Sequence, residues 1–209
     1  MEYEEITSKE QLRGLYCQPM DLVIKKQQEC LDEYSEKFIT LSPFAIISTA
    51  GNDGLLDASP RGESAGFIKV LDKHTIAIPD RPGNNRLDSL TNIIENPKIG
   101  MLLLIPGFKE CLRINGSAKI VTNSDLLKKF DHNGKLPISL ILVSIQEVYF
   151  HCAKAITRAK LWDSRSHVSR DEMPSLGRIL MSQIAPEKTD NEIKEVEELI
   201  ENRVKSTLY

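Results

Sequence analysis

Cysteine is scarce in this chain of 209 residues, and the few present do not pair up. Cys17, Cys30, Cys111 and Cys152 stand far apart, with no Cys-x-x-Cys and no histidine set at zinc spacing. A disulfide framework is therefore not expected, and reduced thiols in a cytoplasmic protein are. His151 beside Cys152 is the one adjacent pair of soft ligands, short of the four that structural zinc takes, so no metal site is expected. Long apolar runs are missing too. None approaches the roughly 20 residues that cross a bilayer, which argues against a membrane protein. The opening Met1-Glu2-Tyr3-Glu4-Glu5 is acidic and cannot act as the basic region of a signal peptide. Nor is there an excess of positive charge: 27 Lys and Arg face 30 Asp and Glu, for a net charge of -3. A nucleic-acid partner would call for a basic stripe to displace counterions from phosphates. No repeat or low-complexity segment is present.

What the chain does contain falls into three regions. Residues 1–40 are charged and helix-like, with Leu31, Tyr34 and Phe38 on one helical face. Residues 166–209 are also expected to be helical. There Thr189-x-x-Glu192 makes a capping box ahead of an apolar stripe of Ile193, Val196, Ile200 and Val204. Between them, 41–165 has the character of a strand-rich domain. Phe44–Thr49 runs into the turn Gly51-Asn52-Asp53-Gly54, and Gly66–Val70 and Thr75–Ile78 flank a hairpin loop at Leu71–His74. Ile99–Ile105, Cys111–Val121 and Ile138–Cys152 follow as further strands. One helix interrupts them, beginning near Asn84–Arg86, with Leu87, Leu90 and Ile94 on its apolar face and a stop before Asn96-Pro97. The fold class is mainly β with flanking helices (α+β), and the strand spacing suggests a barrel or sandwich.

Two polar turns hold most of the functional information, Ser59-Pro60-Arg61-Gly62-Glu63 and Asp80-Arg81-Pro82-Gly83-Asn84-Asn85-Arg86. A hairpin centred on Asp72-Lys73 sets Ser64 opposite Arg81 and Arg61 level with Asn84, so both turns reach the same end of the sheet. The second turn opens the helix, whose free N–H groups and positive dipole end point at the same spot. Gly83 permits close backbone approach, Asn84 or Asn85 can cap, and Arg61, Arg81 and Arg86 can each offer a planar fork to phosphate oxygens. A phosphate carrying about two negative charges is the natural guest. The bland alternative is turn chemistry alone, with Arg61 paired to Glu63 or Asp80. Neither a Walker A loop nor a strand-linked G-x-G-x-x-G fingerprint is present.

The order of segments is similar to that of the pyridoxamine 5'-phosphate oxidase-related flavoproteins. It runs through Asp57-Ala-Ser-Pro-Arg-Gly62, Ile78-Pro-Asp-Arg-Pro-Gly-Asn-Asn-Arg86, a helix ending in Asn96-Pro97, a buried strand, and Arg113-Ile-Asn-Gly116. His151-Cys-Ala-Lys-Ala155 followed by Leu161-Trp162 resembles the segment after the last barrel strand in one subgroup. The resemblance spans roughly residues 40–165. It implies a split β-barrel that binds FMN at the interface of a homodimer. By the same likeness Ser59, Arg61 and Gly62 line one side of the cofactor, and Arg81, Asn84, Asn85 and Arg86 lie beside its phosphate and ribityl chain. Lys154 and Trp162 reach the flavin from the partner subunit. The oxidase itself ends in a strand-like tail with Arg and Arg-x-His residues that recognise pyridoxal. This chain ends in a helix, so pyridoxamine phosphate is not assigned as its substrate.

No dedicated acid, base or nucleophile stands out, since His74 and His132 both fall in polar loops. A flavin carries its own redox chemistry, so an FMN-dependent oxidoreductase acting on a small molecule is the expected function. The alternative is a non-catalytic flavin- or haem-binding protein of the same fold.

Overall fold

Runs rich in Ile, Leu and Val become the central strands of a single antiparallel sheet, because each can bury one face or both. The structure, a computed structural model, describes residues 3–207. Three short helices come first: α1 (Lys9–Leu15), α2 (Asp21–Lys25) and α3 (Glu33–Leu41). The strands are β1 (Phe44–Ala50), β2 (Leu56–Gly62), β3 (Lys69–Asp72), β4 (Thr75–Asp80), β5 (Lys98–Leu104), β6 (Cys111–Val121) and β7 (Ser139–His151). Helices α4 (Asp88–Glu95), α5 (Ser124–Lys128) and α6 (Lys154–Ala159) lie among and after them, and α7 (Leu176–Ile184) and α8 (Asp190–Thr207) end the chain.

The sheet order is β2-β1-β5-β6-β7-β4-β3, with β2 and β3 as edges, so the ladder is not closed into a barrel. One core lies on its concave side, built from Ile47, Met101, Leu103, Ile114, Val143 and their neighbours. A smaller cluster of Ala77, Phe130 and Leu140 sits on the other face beside α5. Gly116 marks a bulge in the β6–β7 pairing, where a Cβ would run into the Ser144 carbonyl. The second half of β7, beyond the reach of β4, is covered by the N-terminal segment. Gln28 and Val148 exchange backbone hydrogen bonds of 3.0 and 2.8 Å.

Four sequence expectations change here. First, the helical face expected to carry Leu31, Tyr34 and Phe38 is different: Leu31, Phe38 and Ile39 belong to the main core. On α3 the buried residues are Ser35, Phe38 and Ile39, while Tyr34 is exposed. Second, the expected turn Ser59–Glu63 is instead, up to Gly62, part of edge strand β2, paired to β1 with Ile46 opposite Pro60. A proline is tolerated there because an edge strand needs donors on one side only. Third, Gly66 and Phe67 belong to a turn, not a strand. The β3–β4 register sets Lys69 against Ala77 and Val70 against Ile76, one residue away from the expected pairing. Fourth, α4 buries Ser89 and Ile93 and leaves Leu87 and Ile94 exposed.

In the C-terminal helices the capping box forms, but of the expected apolar stripe only Ile193 is buried and Val204 is exposed. Thr189 N–H donates to Glu192 Oε2 at 2.9 Å, and Ile193 is buried against α7. Gly177 lets the two helices close up, since a Cβ there would press on Glu197.

Candidate functional site

Strand β2 alternates, and its two faces do different work. Pairing with β1 puts Asp57, Ser59 and Arg61 on the concave face that also carries Ala45, Ile47 and Thr49. Leu56, Ala58 and Pro60 point to the opposite face. Helix α4 lies over the concave side of β1 and β2. It is tied down by polar contacts: Ser89 Oγ donates to Asp57 Oδ2 at 2.6 Å, and Asn92 Nδ2 to Thr49 Oγ1 at 3.1 Å.

The two arginine-bearing segments do converge, but by another route than a shared hairpin. β2 is one edge of the sheet and β4 lies next to the other edge, and the curl of the sheet brings their ends together. Between them is a cavity of about 380 Å³. Its lining includes Ser59, Arg61, Gly62, Arg81, Asn84, Asn85 and Arg86, together with Asp80, Asp88 and Ser89.

The three arginines differ in what they can offer. Arg81 closes the seam. Its Nε donates to Glu63 Oε1 at 2.7 Å and Nη2 to Glu63 Oε2 at 3.2 Å, while Nη2 and Nη1 also donate to the Phe130 and Lys135 carbonyls. The Arg81 and Glu63 side chains are only 9% and 7% exposed. Its fork is thus spent on holding the walls together, and it supplies little to a guest. Arg86 pairs with Asp88 at 2.8 Å on the open surface, an exchangeable contact. Arg61 engages neutral acceptors, donating to Pro60 O at 2.9 Å and Ser89 Oγ at 3.3 Å. Burial pushes the Asp80 carboxyl above the usual carboxylate range, with Arg61 pulling the other way.

Helix α4 opens into this cavity without a side-chain cap. Its N-cap residue is Leu87, at φ 62°, and neither Asn84 nor Asn85 fills that role. Asn84 Oδ1 instead accepts from the Arg86 amide at 3.0 Å, and Asn85 has φ 60°. Asparagine takes the left-handed region with little penalty, whereas a leucine there is strained. The first-turn N–H groups of α4 thereby remain available beside Arg61 and Arg86.

Lys154 and Trp162 do not line the cavity. Lys154 starts α6, and the Trp162 indole donates to the Phe108 carbonyl in the β5–β6 turn at 2.6 Å. Two groups escaped the sequence-based site: Asp57, which accepts hydrogen bonds from the cavity serines, and Ser89, which lines the cavity. The alternation Asp57-x-Ser59-x-Arg61 would have found the first, had 56–62 been taken as a strand. Among the described residues no group of three or more His, Cys, Asp and Glu could hold a metal ion. No helix among them is long and apolar enough to cross a membrane.

The family model described as pyridoxamine 5'-phosphate oxidase matches residues 31–152. The chain belongs to the pyridoxamine 5'-phosphate oxidase family. The matched span begins at buried Leu31 and ends just past β7, so it takes in α3, the whole sheet and the cavity. No curated protein matches the chain by sequence. Solved structures resemble it at low identity. HupZ of Group A Streptococcus is 14% identical over 57% of this chain and 93% of its own, with a TM-score of 0.47. A putative pyridoxamine 5'-phosphate oxidase from Lactobacillus delbrueckii is 18% identical over 58% and 95%, at 0.45. General Stress Protein 26 from Bacillus anthracis is 20% identical over 55% and 88%, at 0.43.

Proposed function

We propose that the chain binds FMN in this cavity and acts as an FMN-dependent oxidoreductase on a small molecule, as a homodimer in the cytoplasm. The observation that carries the proposal is the convergence of Arg61, Arg86 and the uncapped start of α4 on one cavity. Two forks and a helix N-terminus are the donor set that a phosphate dianion calls for. Membership of the family supports the same cofactor. When bound, the flavin ring supplies the redox chemistry, accepting and returning electrons. The residues of the chain bind and orient it. Arg61 and Arg86 hold the phosphate end, with Arg86 exchanging Asp88 for the ligand. The Arg81–Glu63 pair and Gly62 keep the two walls at a fixed separation. Asn84 and Asn85 shape the loop beside the phosphate and ribityl chain, and Ser59 faces the chain from β2.

The homodimer is supported by the convex face of β1, β2 and β5. Phe44, Ile46, Pro60, Leu102 and Leu104 lie there side by side in register, and Phe44 and Leu102 are 39% and 37% exposed. An apolar sheet face at the back of the cavity wall is the kind of surface that a second copy buries. In that dimer Lys154 and Trp162 contact the flavin from the partner subunit. A cytoplasmic setting agrees with the four free thiols.

The test is an absorbance spectrum of the purified protein, with mass spectrometry of whatever denaturation releases. A flavin spectrum and release of FMN are expected. A colourless protein that takes up no FMN on reconstitution would contradict the proposal.

A further inference from the structure

Asp57 holds two serines of the cavity lining, Ser59 and Ser89, by hydrogen bonds, and the chemistry of a carboxylate gives the set a direction. A carboxylate only accepts, whereas a serine hydroxyl has one proton to give and two lone pairs. Ser59 Oγ lies 3.0 Å from both Asp57 oxygens, and Ser89 Oγ lies 2.6 Å from Oδ2. Both serine protons must therefore point at Asp57. Ser89, buried to 2% exposure, then receives Arg61 Nη2 on a lone pair at 3.3 Å. Ser59 sits one step along the same strand face, half-buried, with its lone pairs left toward the cavity it lines.

We infer that Asp57 sets the polarity of this wall, so that Ser59 accepts hydrogen bonds from a ligand and donates none. The cavity is then divided. Arg61, Arg86 and the α4 amides donate, and suit an anion. Ser59, held by Asp57, accepts, and suits a hydroxyl or N–H of the same ligand. The ligand class is a phosphate ester with a hydrogen-bond donor close to its phosphate, such as a phosphorylated polyol chain. A wall of this polarity would repel a phosphate oxygen placed against Ser59. Ser59 is thus a contact for the body of the ligand, and Asp57 is a positioning residue that acts through it. This rests on the FMN proposal above and adds which atoms meet which wall.

Flavin-fluorescence titrations of wild type, Ser59→Ala and Asp57→Asn with FMN and with riboflavin test it. Riboflavin keeps the polyol and lacks the phosphate. Asparagine keeps the shape of Asp57, but its amide nitrogen turns one serine proton back toward the cavity. Each variant is expected to weaken both ligands by roughly fivefold to tenfold, one hydrogen bond's worth. The FMN-to-riboflavin ratio is expected to stay within about twofold of wild type on the same arithmetic. Thermal melting checks that each variant is folded. Unchanged riboflavin affinity in both variants overturns the inference. So does an Asp57→Asn variant that loses or gains FMN affinity alone, since Asp57 would then act on the phosphate through Arg61 or by its charge. If wild type binds the two flavins equally, the phosphate assignment fails, and the riboflavin affinities alone still decide the acceptor wall.

Discussion

Replacing Glu63 by Gln asks how firmly the two walls of the cavity are joined. The substitution keeps shape and one acceptor oxygen but removes the charge that faces Arg81. Both side chains are less than a tenth exposed, so the surface discount on ion pairs does not apply. At a charge separation of about 4 Å and an effective dielectric of about 20, the lost attraction is about 4 kcal/mol. The retained amide oxygen still takes an N–H of Arg81 and recovers about 1 kcal/mol, while the bonds to the Phe130 and Lys135 carbonyls are unchanged. The net cost is about 3 kcal/mol, at the lower end of what removing one partner of a buried pair does. A domain with stability on the order of 5–15 kcal/mol remains folded, which makes the loss measurable. Urea unfolding followed by far-UV circular dichroism and by the fluorescence of Trp162, the only tryptophan, reads it out. Arg81→Met alone should cost about as much, because it strands the Glu63 charge. The double variant should cost clearly less than the sum, with a coupling of about 2 kcal/mol or more. A loss under about 1 kcal/mol for Glu63→Gln, with no coupling, would show a solvated pair and remove this account of the seam.

Three further outcomes follow from local geometry. Gly116→Ala should destabilise by about 3 kcal/mol or more, because the new methyl meets the Ser144 backbone and not a yielding side chain; a change under about 1 kcal/mol in urea would refute that. Asp80→Asn should stabilise the protein at neutral pH and lose its advantage in acid. Burial raises the folded-state pKa of Asp80, so its favourable share of stability is complete below the unfolded value and is lost as pH rises through the folded one; an advantage that grew on acidification would contradict this. Glu192, at the start of α8, has its carboxyl pulled down to about 2 by the Thr189 amide, Lys188 and the Thr189 hydroxyl. Its contribution is present above the ordinary value of 4.5 and lost as pH falls toward 2. Amide protection at α8, taken relative to the intrinsic exchange rate at each pH, should therefore fall over that window in wild type and change less in Glu192→Gln.

How much of this was legible beforehand depended on where the apolar residues sit. β1, β5, β6 and β7 announce themselves because their alternating or continuous Ile, Leu and Val side chains fill the core. β2 does not. Leu-Asp-Ala-Ser-Pro-Arg-Gly has almost nothing to bury on its concave face, since that face lines a polar cavity, and its proline looks like a breaker. The same cause misled the face of α4. The helix turns Ser89 and Asn92 inward to meet Asp57 and Thr49, so of the expected stripe only Leu90 packs on the core, while Leu87 and Ile94 are exposed. The meeting of the two arginine segments was expected, and it holds. Which arginine would be consumed by Glu63 was not readable, because Arg61 and Arg81 lie on elements whose approach depends on the curl of the whole sheet. The alternative of turn chemistry alone paired Arg61 with Glu63 or Asp80, whereas the fold gives Glu63 to Arg81.

The central claim is that Arg61 and Arg86 form a phosphate cradle, and the double variant Arg61→Ala/Arg86→Ala tests it most directly. Calorimetric titration with FMN and riboflavin should show wild type preferring FMN, with the preference falling about a hundredfold or more in the double variant. That loss corresponds to two charge-assisted contacts at about 1.5 kcal/mol or more each. The double variant should remain folded and keep its weaker binding of riboflavin. An undiminished preference for FMN in the folded double variant would place the phosphate elsewhere and contradict the account.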